Sequence, residues 1–145
     1  MMPDKIEDVL RGFAEETWVQ DREMLLARYD FSIRKKLAVD AWAMYLLAES
    51  GILEKLDEFD DIYISHLSIS RILEELTHYE NIPLRMALEY IECNKKKNIH
   101  IQTADFRSQI SLRKCGNYDE PGSTIAISIN VNCPALLGEP ELQSC

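Results

Sequence analysis

The chain has 145 residues, 46% of them hydrophobic, which suits a single globular domain with a sizeable core. It holds no apolar run near the roughly 18 residues needed to span a bilayer, and Met1 to Gln20 carries acids throughout instead of a basic-then-apolar leader, so a soluble, cytoplasmic protein with no membrane partner is expected. Twenty-five acidic against 16 basic residues leave a formal charge of −9, which disfavours sequence-independent binding to polyphosphates.

Residues 4 to 29 read as one or two helices without a Pro break: Ile6, Val9, Leu10 and Phe13 form a one-sided apolar stripe, and Met24, Leu25, Leu26, Arg28 and Tyr29 continue the helical character. Asp30 to Lys36 reads as a connection. A short apolar run, Leu37 Ala38 Val39, then ends on Asp40 and gives way to a helical stretch, Ala41 to Ser50, which Gly51 closes from the C′ position. A buried strand that delivers a carboxylate at its C-terminal end is a common start to an α/β active site. An Asp at that place is equally a good N-cap, accepting hydrogen bonds from the first free helical amides.

Ile52 to Phe59 reads as a short turn or helix, and Asp61 to Ser65, rich in β-branched and aromatic residues, as a second strand. In Ser68 to Thr77 the positions Ile69, Ile72, Leu73 and Leu76 follow the helical period. On that wheel Glu75 flanks the apolar stripe and Glu74 lies nearly opposite, so Glu75 is the acid better placed to face a cleft. Paired glutamates otherwise belong to a solvated face. A helix starts at Pro83 and runs to about Asn94, Asn98 to Gln102 is extended, Asp105 to Lys114 has helical character, and Cys115 to Tyr118 is a loop. Ile125, Ile127, Ile129 and Val131 alternate with smaller residues, which by period alone favours a strand, whereas Glu120 Pro121 Gly122 Ser123 is a helix-start signature. Ala135 Leu136 Leu137 is a last apolar run, leading to an acid at Glu139.

Cys93, Cys115, Cys133 and Cys145 form no CxxC pair and read as reduced thiols, and His66, His78 and His100 lack the spacing of a helical metal site. No Gly-rich phosphate loop occurs. The basic groups Arg34 Lys35 Lys36, Lys95 Lys96 Lys97 and Arg113 Lys114 read as solvated loop or helix-end charges, or as a phosphate-binding path if they meet on one face. The acids are the more suggestive set. Asp40, Glu75, Glu120 and Glu139 are far apart in sequence, yet two of them end apolar runs and two are associated with helices. Carboxylates gathered at one sheet edge suit hard divalent ions, which can lower the pKa of a bound water and neutralise charge on a phosphate under attack.

Leu37 to Leu53, Asp61 to Leu76 and Asp119 to Leu142 together resemble the PIN-like domain family, in particular the variants attached to bacterial helical-repeat proteins, over most of residues 37 to 142. The resemblance implies an α/β three-layer sandwich with a central, mostly parallel sheet. It divides the chain into an N-terminal helical segment, 1–36, and a PIN-like domain, 37–145, that stops short of the family's final helix and strand. It makes residues 124–132 a helix, against the alternation. It further implies a Mg2+- or Mn2+-dependent ribonuclease, with Asp40, Glu75, Glu120 and Glu139 as catalytic and metal-binding residues and RNA as partner. Glu139 stands where the family usually has Asp, and Glu120 sits between Asp119 and Pro121. The alternative implied function is a protein-interaction or regulatory module that has kept the fold and lost the chemistry, its N-terminal helix meeting a partner protein or a missing helical-repeat region.

Overall fold

In the computed structural model the described residues are 16–32, 35–103 and 120–138, the side chains of Glu120 and Pro121 excepted. Five strands form one sheet: β1 (Glu16–Val19), β2 (Lys36–Val39), β3 (Asp61–Ser65), β4 (Ile99–Gln102) and β5 (Ala135–Gly138). Their order is β1-β5-β2-β3-β4, and every pairing is parallel. The helices are α1 (Arg22–Arg28), α2 (Ala41–Glu49), α3 (His66–His78), α4 (Ile82–Asn94) and α5 (Glu120–Val131), with a short 3-10 helix over Leu53–Glu58.

A parallel sheet needs cover on both faces, and the strands accordingly read as near-continuous apolar runs. On one face Leu37, Val39, Ile62, Ile64 and Leu136 pack with Leu25 of α1, Met44 and Leu47 of α2, and Leu84, Ala87 and Ile91 of α4. On the other, Ala38, Ala135 and Leu137 meet Ile125 and Ile129 of α5. The result is an α/β/α arrangement of three layers. Among the described residues no helix is long and apolar enough to cross a membrane.

Two expectations change. Glu16–Val19 is a strand, not part of a helix: the i, i+3, i+4 stripe belongs to Ile6–Phe13, outside the described residues, whereas Thr17, Trp18 and Val19 are good β-formers. They pair with Leu136, Leu137 and Gly138 and cover the outer edge of β5. Leu73 does not join the buried stripe of α3 and is 47% exposed. The helix expected over 124–132 from the resemblance is present, and the strand suggested by alternation is not. Gly122 through Ile129 are all buried, so the apolar content reflects a helix enclosed on every side, whose burial no longer reports a 3.6-residue period. The segments 105–114 and 115–118 lie outside the described residues.

Helix ends obey local chemistry. Gly51, at φ +72°, closes α2 in a Schellman motif, its amide donating to Ala48 O at 3.1 Å and that of Ile52 to Leu47 O at 3.0 Å. Asn132, at φ +57°, does the same for α5, with the Cys133 amide donating to Ser128 O at 2.9 Å.

Candidate functional site at the carboxyl edge of the sheet

β2, β3 and β4 are laid down in one direction across the sheet, and the chain then returns to place β5 on the opposite side of β2. The carboxyl ends of β2 and β5 therefore meet where the strand order reverses, the usual ligand position in open parallel sheets. Asp40 stands at that junction. It is fully buried and caps α2, with Oδ1 accepting the Ala43 amide at 2.8 Å, and the same oxygen accepts the Gly138 amide at 2.8 Å. One carboxylate thus ties the end of β2, the first turn of α2 and the end of β5. Cap and site readings of Asp40 share one geometry.

Gly138 makes that approach possible. A Cβ there would sit 2.5 Å from the carbonyl carbon of Trp42 and 2.6 Å from the amide nitrogen of Ala43, inside backbone that has no room to move. Glu139 follows Gly138 in the chain and lies outside the described residues.

Four buried hydroxyls join α3 and α5 at the same edge. Ser65 ends β3 and caps α3, accepting the Ser68 amide at 3.0 Å. Ser123 Oγ donates to Ser65 Oγ at 2.7 Å, Ser65 Oγ donates to Ser68 Oγ at 3.2 Å, and Ser68 and Thr124 hydroxyls stand 3.5 Å apart. The cluster holds the first turn of α5, which begins at Glu120, against the carboxyl end of β3.

α3 crosses this edge toward the start of α2, where Arg71, Ile72 and Glu75 line a small crevice with Ala41, Trp42 and Leu84. Glu75 is half-buried, as its flanking position on the helix suggests, while Glu74 is exposed. Arg71 Nε donates to Glu75 Oε1 at 3.3 Å, and its guanidinium carbon lies 5.5 Å from the centre of the Trp42 ring.

The backbone therefore places Asp40, Glu75 and the start of α5 with Glu120 on one edge, and β5 delivers the chain there one residue before Glu139. Carboxylate oxygens are the donors that Mg2+ and Mn2+ take, so the chemistry of the acid set fits such an ion. The described side chains contribute Asp40 and Glu75 to it, and among the described residues no group of three or more His, Cys, Asp or Glu side chains forms a metal centre. Gly138, the hydroxyl cluster and the Arg71–Trp42 pair escaped the sequence reading. Only Ser65-x-x-Ser68, a capping spacing ahead of an apolar run, carried a local signal.

The amino edge has different chemistry. A cavity of about 640 Å³ is lined there by Arg28, Lys35 and Lys36 as well as Glu16, Asp30 and Asp60, with Cys133 at its wall. Burial pushes the Cys133 thiol up to about 12, so it is protonated at neutral pH and is no thiolate nucleophile. His100 is also turned toward this end, its Nε2 2.7 Å from Asp61 Oδ1. Lys95 to Lys97 precede β4 and so flank the amino edge, with Lys95 paired to Glu92 at 2.8 Å. They form no path to the acids at the opposite edge.

No family model, curated protein or solved structure matches this chain.

Proposed function

We propose that the chain is a PIN-like domain acting as a Mg2+- or Mn2+-dependent ribonuclease. The observation that carries this reading is the carboxyl-edge junction: Asp40 is held by the amides of Ala43 and Gly138 where β2 and β5 end, at the same edge as α3 with Glu75 and the start of α5 with Glu120. Asp40, Glu75, Glu120 and Glu139 are the residues that would hold the ion. When bound, it supplies neutralisation of phosphate charge and a more acidic water.

The chain's own contribution is orientation. The two amides fix the Asp40 carboxylate, and the hydroxyl cluster fixes the first turn of α5. In the reaction a water oxygen forms a bond to phosphorus as the bond to the departing ribose oxygen breaks, and a proton passes to that oxygen.

End-labelled single-stranded RNA incubated with the protein tests this. Cleavage is expected with Mn2+, none with EDTA, and a loss of about 100-fold in Glu139→Gln. RNA left intact with either ion overturns the reading. The interaction-module alternative is favoured by one observation, the pairing of Glu75 with Arg71, which places a fixed cation where a metal would compete; it predicts intact RNA in every arm.

A further inference from the structure

A phosphodiesterase site made of acids needs a positive group to hold its polyanionic substrate, and the lysine triplet that promised one lies at the wrong edge. Arg71 is at the right one. Its Nε donates to Glu75 Oε1 at 3.3 Å and its guanidinium carbon lies over the Trp42 ring, 5.5 Å from the ring centre, which together restrain the guanidinium. The side chain is still 38% exposed. Among the described residues no hydrogen bond engages either terminal amino group, so both remain available as a two-pronged donor. That fork matches two oxygens of one phosphate, which a lysine point charge does not.

We propose that Arg71, oriented by Trp42 and Glu75, grips a backbone phosphate of single-stranded RNA at the carboxyl edge. The proposal rests on the ribonuclease reading and supplies its substrate contact. It also gives the Arg71–Glu75 pair a purpose other than stability, since a solvent-accessible i, i+4 pair of this kind contributes little to folding. Glu75 then holds the guanidinium through Oε1, which leaves Oε2 for the acid set.

Binding of a fluorescein-labelled single-stranded RNA, followed by anisotropy in EDTA at several salt concentrations, separates contact from cleavage. Arg71→Gln is expected to weaken binding about tenfold and to flatten the salt dependence by about 0.7 in log–log slope, the loss of one phosphate contact to a single strand. Arg71→Lys should restore the slope but only part of the affinity. Arg85→Gln, which removes an exposed arginine of α4 that pairs with Glu80, should bind as the wild type does. An Arg71→Gln protein with wild-type affinity and slope overturns the proposal, as does a wild type that fails to bind. Binding that depends on Arg71 without Mn2+-dependent cleavage would sustain the contact and sink the nuclease reading.

Discussion

At the scale of single residues the edge is organised by an acid and a glycine that sit 98 positions apart. Asp40 is read easily from sequence, because an Asp between an apolar run and a helix is a cap whatever else it does. Gly138 is not, since nothing near Leu137 reveals that α2 will pack against it. Gly138→Ala is expected to cost about 2 kcal/mol or more, through a Cβ driven into the backbone of Trp42 and Ala43 and the weakened hydrogen bond to Asp40. A urea midpoint indistinguishable from wild type would refute that packing. The same limit applies to Ser123 and Thr124, whose partners Ser65 and Ser68 are more than 50 residues away. Glu75 was legible because its place on the helix surface follows from the 3.6-residue period alone.

At the scale of elements the legible parts were those with a local pattern: β2 and β5 as apolar runs, β3 from its β-branched content, α2 from its Asp cap and Gly terminus. Where the outcome depended on a distant partner, the local pattern misled. The alternating isoleucines of α5 carry strand character and become helical because both the sheet and its own buried surroundings accept them. Glu16–Val19 carries weak signal and becomes a strand because the edge of β5 requires a partner. The resemblance places a closing helix and strand after Leu142; here β1 and α1 already occupy the flank of β5, approaching from the other end of the chain. Val19, fully buried and paired with Gly138, tests this element. Val19→Asp should lower the unfolding free energy by about 3 kcal/mol. A substitution without effect would mean that residues 16–19 contribute no strand to the folded sheet.

At the scale of the whole molecule, charge and topology separate two ends. The amino edge gathers lysines and an arginine around a mixed-charge cavity, while the carboxyl edge holds Asp40 at a sheet junction and Glu75 beside Arg71. Four carboxylates brought together at this edge would repel one another unless a cation joined them, and this is the physical core of the proposed function. Thermal unfolding with and without Mn2+, for the wild type, Asp40→Asn and Glu139→Gln, tests it most directly. Asn preserves the cap and its acceptor oxygen, so Asp40→Asn removes charge while retaining the tie to Ala43 and Gly138. At about 100 times its dissociation constant the ion should add about 2.7 kcal/mol, a rise of about 8 °C in Tm, to the wild type and little to either variant. A wild type whose Tm is unchanged by Mn2+ would contradict the metal-dependent account of this edge.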